Sequence, residues 1–443
     1  MGALRIGLWL LPLALWNLSA ATDPALEELR VLKAAHLEIL KRIEALETKL
    51  EAEGRLPKPE TETAATPKPK PAVETAGAVT PAPSPRGTLE LGSTSTVLSV
   101  GGRIQLDTDM GWPEGSHFAG KIPLSKAGED GQLGFSARES RLWAKTRTPS
   151  QYGMIRALIE TDFKGSSGTE TTTNSHGIRL RHAYVQIGPW TAGQTNSLFN
   201  AAITMDTLYD AIDYTLVRQP LLSYGGGSKV WNWALSLEQP ETTLLDPDGN
   251  LITPQDDRLP DLGMRLRWFP KWGEGGIAAM VRYIRQDRAL LGSGIRTPGS
   301  DAATGWGVNA YGAIRLGSSD DLRFGAAYGE GIGRYLAYNA FPAGSVDATG
   351  KITLQESFGA HLGYRHWWHD SLRSTLAFSY AGTSNAGTAT EVTDSSRSLQ
   401  ANLLWTPASR TLVGIEYARA LRELENGEEG EMELLRMTLR YEF

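Results

Sequence analysis

From about residue 97 to its end the chain alternates apolar and polar positions, and the last run is the clearest. Leu435, Met437, Leu439, Tyr441 and Phe443 fall on one face, while Arg436, Thr438, Arg440 and Glu442 fall on the other. A period of two is the period of a strand. A strand whose apolar row meets lipid and whose polar face meets a watery lumen reads this way. So does the last strand of a soluble sandwich, and the rest of the chain decides between them.

Alternation predicts sixteen strands, near 97–109, 133–148, 152–163, 178–187, 190–196, 216–224, 229–238, 261–268, 276–285, 304–316, 321–330, 354–367, 372–380, 398–405, 411–419 and 434–443. Connections after even strands are short, such as Thr148-Pro149-Ser150 and Gly188-Pro189. Those after odd strands are long, such as 110–132, 239–260, 286–303, 331–353 and 381–397. Short turns on one side and long loops on the other mark a bacterial outer-membrane barrel. The expected fold is all-β and transmembrane: a 16-stranded antiparallel barrel over 88–443, with both ends in the periplasm.

What precedes the barrel reads as three pieces. Residues 1–21 form a cleaved signal peptide, with Arg5 as the positive region, an apolar core from Ile6 and small residues Ser19-Ala20-Ala21 before cleavage. Residues 22–53 form a periplasmic coiled-coil helix. Asp23-Pro24 starts it, and Leu29, Leu32, His36, Ile39, Ile43, Leu46 and Leu50 make the heptad seam. One such helix cannot bury its own stripe, so self-association follows; His36 on the seam reads as a polar register-setter. Residues 54–87 are a Pro-rich linker spanning at most roughly 100 Å.

Composition narrows the function classes. The net charge of −6 argues against nucleic acid as a partner, and the absence of cysteine excludes disulfides and thiolate metal sites. Forty-eight glycines, 14 tyrosines and 13 tryptophans suit a large antiparallel sheet with aromatic girdles. No Gly-rich phosphate loop and no nucleophile–base spacing stands out, so neither a cofactor nor catalysis is expected. His366, His369 and Asp370 have metal-compatible spacing, but beside Trp367-Trp368 at a turn they read better as an interfacial girdle. Glu423, Glu425, Glu428, Glu429, Glu431 and Glu433 read as an acidic outer loop, either solvated or bridged to lipopolysaccharide by divalent cations.

Residues 139–199 carry a family resemblance. It runs through Glu139-Ser140-Arg141-Leu142-Trp143-Ala144-Lys145-Thr146-Arg147-Thr148-Pro149, Ile159-Glu160-Thr161-Asp162-Phe163, Arg179-Leu180-Arg181-His182-Ala183-Tyr184-Val185 and Gly193-Gln194-Thr195-Asn196-Ser197-Leu198-Phe199. With the overall plan, these segments resemble the DcaP-like family of trimeric outer-membrane porins. From about residue 230 the likeness is one of pattern only. The resemblance implies a homotrimer taking up small anionic solutes passively, dicarboxylates among them. The end of the chain also looks like the signal that such barrels present to the barrel-assembly machinery, with Tyr441 and Phe443 carrying it.

Alternation supplies the candidate pore-lining residues: Arg103, Arg141, Arg156, Glu160, Arg181, Arg265, Arg267, Arg282 and Arg315. Arginines on the lumen face would attract carboxylates without trapping them, or would pair with neighbouring acids and brace the wall. The connection 197–215 follows the fifth strand, from which porins of this plan fold a loop inward. Its Asp206, Asp210 and Asp213 would then face the basic wall across a constriction. Two other readings stand beside the porin: an envelope tether anchored by a closed barrel, and an outer-membrane hydrolase, for which no serine can be named.

Overall fold

The computed structural model describes residues 88–91, 95–112, 122, 124, 131–166, 168–169, 173–203, 205–210 and 215–443. The expected leader, helix with His36 and linker, and Asp213, lie outside the described residues.

Sixteen strands form one closed antiparallel sheet. They are β1 (Thr96–Trp112), β2 in two pieces (Gln132–Ser136 and Arg141–Ser150), β3 (Gly153–Asp162), β4 (Arg179–Ile187), β5 (Trp190–Asn196) and β6 (Arg218–Gly227). There follow β7 (Trp231–Glu238), β8 (Asp261–Trp268), β9 (Gly273–Asp287), β10 (Ser300–Leu316) and β11 (Asp320–Glu330). The last are β12 (Glu356–His369), β13 (Leu372–Ser384), β14 (Thr393–Trp405), β15 (Thr411–Leu424) and β16 (Glu429–Glu442). Each strand pairs with the next, and β16 closes on β1 from Arg103↔Glu442 to Trp112↔Glu433. The terminal residue completes the seam: the Phe443 N–H donates to Gly102 O at 3.0 Å, and Gly102 N–H donates back to Phe443 O at 3.2 Å. Tyr441 lies on the outer, exposed face of that seam.

The pattern of burial is that of a soluble protein turned inside out. Ile104, Met264, Leu376 and Leu439 are each more than half exposed, whereas Gln105, Asp107, Asn309, Asp321 and Glu416 are buried. So large an apolar band in water would cost far more than a fold returns, so lipid must cover it. Exposed Trp190, Tyr224, Trp231, Trp272, Tyr364, Trp368 and Trp405 ring the end that carries the short turns. Trp306, Tyr328, Phe358 and Tyr380 mark the other edge. These rows are the aromatic girdles of a membrane barrel.

Every expected strand is present, and three details differ. The second strand breaks at Ala137–Ser140, where the Ser140 N–H turns back onto Ala137 O at 3.0 Å. The Ser140 hydroxyl fills the gap in the ladder, accepting from Gln105 N–H at 3.1 Å and donating to Gln105 O at 3.3 Å. Strands β15 and β16 run on to Leu424 and start again at Glu429, so most of the expected acidic loop is the paired tip of a hairpin. There Arg419 pairs with Glu431, and Tyr417 donates to Glu433 at 2.8 Å. At the loop end a small four-stranded sheet joins two long connections: Leu251–Ile252, Leu244–Leu245, Gly344–Val346 and Ile352–Leu354. Leu244, Ile252, Ile284, Val346 and Ile352 form its core.

Candidate functional site

The connection between β5 and β6 turns into the barrel. At its base Asn200 grips Val217 with both ends of its amide (Oδ1 accepting at 3.1 Å, Nδ2 donating at 2.9 Å), and Leu198 N–H donates to Glu238 at 2.9 Å. At its far end the loop docks on strands half-way round the sheet. Asp206 takes Arg373 at 2.6 Å and Arg365 at 3.0 Å. The backbone N–H groups of Leu208 and Tyr209 both donate to the Glu416 carboxylate at 2.7 Å. Asn402 and Gln400 donate to the carbonyls of Asp206 and Tyr209, each at 2.8 Å. Arg436 reaches Leu208 O at 3.1 Å while holding Asp109 at 2.7 Å.

Burial alone would raise the Asp206 pKa. The hydrogen bond from Arg373 and the charges of Arg373 and Arg365 outweigh it, holding the carboxyl at about 2.

Beside this loop lies an open lumen of about 1670 Å³. Arg103, Arg141, Arg156, Glu160, Arg181 and Arg265 all border it, as does Asp210. In all, 13 arginine or lysine side chains border it against four carboxylates, those of Glu139, Glu160, Asp210 and Glu391. Arg181 is shared between Glu160 at 2.7 Å and Asp162 at 2.9 Å. Arg156 is exposed to the lumen, and among the described residues neither it nor Arg265 makes a hydrogen bond or ion pair.

Three candidates sit elsewhere. Arg267 is buried against Glu274 at 3.0 Å. Arg282 is buried against Asp261 at 3.0 Å and also holds Gly331 O at 2.7 Å and Glu241 O at 2.6 Å. Arg315 donates to Lys271 O at 3.1 Å beside a short turn. These three occupy the bracing role, because an acid or carbonyl stands beside each one. Asp206 is likewise a fastener of the loop, not a free charge in the channel. His366 Nδ1–H donates to the Asp320 carboxylate at 2.9 Å, and its ring meets Trp368 edge-on at 4.5 Å, which fits the girdle.

Sequence reasoning missed a second inward element. The connection between β11 and β12 carries a 3-10 turn, Gly333–Tyr335. The Tyr335 hydroxyl donates to Asp261 at 2.9 Å, its ring packs edge-on against Phe199, and Tyr338 bonds to Asp210. Two fully buried aromatics, Tyr335 and Phe341, in an otherwise loop-like stretch were the available signal. Glu139 was missed as well: it enters the lumen only because β2 breaks beside it.

A closed barrel of sixteen strands with an apolar outside, aromatic girdles and a charged lumen narrowed by a loop is an outer-membrane channel. The family model described as a porin subfamily matches residues 90–393, and the chain belongs to that family. Among solved structures, the outer membrane channel DcaP of Acinetobacter baumannii matches with a TM-score of 0.67 at 19% identity, covering 79% of this chain and 97% of that one. OmpT, an outer membrane protein of Vibrio cholerae, matches with a TM-score of 0.50 at 9% identity, covering 80% and 99%. These likenesses are of fold. A search of curated proteins found no match.

Proposed function

We propose that this porin passes small hydrophilic anions by passive diffusion, with dicarboxylate-like solutes as the preferred class. The observation that carries the reading is the excess of cations along the lumen, 13 against four. Two unit charges 4 Å apart at an effective dielectric near 20 interact by about 4 kcal/mol, enough to favour anions and exclude cations. Arginines spread over several strands surround a solute, whereas Asp210 acts from one side. The test is the reversal potential of single channels under a potassium chloride gradient. Anion preference is expected; cation preference would overturn the reading.

The same reading includes a homotrimer seated in lipid and lipopolysaccharide, exported by the leader at 1–21 and helped to associate by the helix at 22–53. The heptad seam supports this. Removing residues 22–87 is expected to leave trimers in mild detergent that dissociate at lower temperature. Monomers after truncation would show that the barrel has no trimer contact of its own. Deleting Phe443 removes both hydrogen bonds that end the seam. Precursor and aggregates in place of heat-modifiable barrel are then expected, and normal surface display would exclude Phe443 from assembly.

A further inference from the structure

We infer that Arg147 and Arg156 form a carboxylate-binding station in the lumen, on the turn side of the constriction, for the solutes proposed above. The inference rests on that anion reading and adds a site to it.

The two residues are direct cross-strand partners, Arg147 on β2 opposite Arg156 on β3. Partners in this register point to the same face, with Cβ atoms about 5 Å apart, and like charges placed so repel. Both border the lumen and both are exposed. Among the described residues neither side chain makes a hydrogen bond or an ion pair. On the flanking strands their partners are Val97 and Gln186, which bring no negative charge.

The same wall contains a second pair of this kind, and its chemistry is visible. Arg103 on β1 stands directly opposite Arg141 on β2. There Glu139 turns in from the break in β2 and spans both guanidinium groups, 3.2 Å from Arg103 and 3.7 Å from Arg141. Lys164 closes on the same carboxylate at 2.6 Å. The protein therefore neutralises one opposed arginine pair with a carboxylate of its own, presented from the lumen. At Arg147 and Arg156 the geometry is repeated and the carboxylate is missing.

A solute carboxylate is the counter-ion that fits, because two guanidinium groups offer it several charge-assisted donors. Lys145 lies two residues along the same face of β2, about 7 Å away along the strand, and also borders the lumen. Its ammonium rests 4.2 Å over the Trp143 ring, on the side away from Arg147, so the arginine pair alone makes the station. The residues stand near Ser150 and Gly153, at the short-turn end of their strands, so the station receives solutes leaving the constriction. Because no side chain among the described residues fills it, a solute binds and leaves without displacing an internal competitor.

The experiment uses the full-length channel in planar bilayers with succinate as probe. Arg147→Gln and Arg156→Gln are made singly and together, and the concentration that half-blocks chloride current is measured. Each single variant is expected to raise it about tenfold, and the double variant little further, because the pair acts as one site. Flux of a neutral sugar should stay within about twofold in all three. Losing one of two repelling charges relieves the wall, so each single variant should resist heat at least as well as the parent. An unchanged half-blocking concentration in Arg147→Gln, in a parent channel that prefers anions, would overturn the station and leave the anion reading intact. Losses that multiply in the double variant would also overturn it, since independent charges would then act. A parent channel that prefers cations would overturn both.

Discussion

The lumen has two walls built from the same alternation, and only one of them keeps arginines open to the channel. On strands β2 to β8, Arg179 and Arg181 are held by Asp162, but Arg156 and Arg265 have no side-chain partner among the described residues, and Arg141 is no nearer than 3.7 Å to a carboxylate. On strands β11 to β16, Arg323 and Arg365 hold Asp321 at 2.7 and 2.5 Å, Arg373 holds Asp206 at 2.6 Å, and Arg436 holds Asp109 at 2.7 Å. The inward loop makes much of this difference. It crosses the barrel and places Asp206 between two arginines of the far wall, with its backbone N–H groups on Glu416. One wall is spent on holding the loop, and the other is left to meet solute.

Removing the fastening is expected to have the largest effect. Asp206→Ala leaves Arg365 and Arg373 without their shared carboxylate, and breaking a buried pair from one side costs about 3–5 kcal/mol. Glu416→Ala leaves two loop N–H groups without an acceptor, at about 1–3 kcal/mol each. Either variant should free the loop, raise single-channel conductance roughly twofold and lower the heat-dissociation temperature. Conductance unchanged in both variants would mean that the loop is held by other contacts and that the contrast between the walls does not depend on it.

Exchanging the walls sharpens the comparison at a smaller scale. Arg156→Ala with Arg265→Ala should lower dicarboxylate flux about tenfold while changing neutral sugars of similar size by less than about twofold. Arg365→Ala with Arg373→Ala should act through the loop and raise flux of both solutes together. Liposome swelling with paired charged and neutral solutes separates these outcomes. Equal losses for both solutes in the Arg156 and Arg265 pair would make those arginines wall braces.

How far the sequence showed this follows from the range of each interaction. The sixteen strands were legible because the alternation of Ile104 with Gln105, or Met264 with Arg265, is local and survives any packing. The inward course of 197–203 and 205–210 was legible from its place after the fifth strand. Which arginines are braced was not. Asp206 and Arg373 are 167 residues apart, and nothing near either one announces the other. Arg267 and Arg282 read like Arg265 in the sequence, and only the positions of Glu274 on the following strand and Asp261 on the preceding one separate them. The break beside Glu139 left a sign in the sequence: Leu133 and Phe135 face outward at odd positions and Leu142 at an even one, so the alternation slips by one residue, while the Ser140 side chain replaces the lost ladder bonds.

Acid offers the mildest way to test the same contrast. Docked, Asp206 has a pKa of about 2; in a released loop it returns to the ordinary aspartate range, about 3.9. A group whose pKa is depressed stabilises the docked state above the undocked pKa and loses that contribution as pH falls through the docked one. The contribution of Asp206 to holding the loop should therefore be constant from neutral pH down to about 4 and weaken between about 4 and 2, by on the order of 2 kcal/mol. The open wall follows another rule, since a guanidinium does not titrate in acid. Conductance measured between pH 7 and 2.5 should stay level, then rise below about 4, while the reversal potential keeps the sign of an anion channel throughout. Asp206→Asn should remove this acid step, because its amide does not titrate. A step that persists in Asp206→Asn would place the titrating group on another carboxylate, and its loss on adding Glu416→Gln would then assign it to the second fastener of the loop, whereas persistence in both would detach acid opening from the far wall.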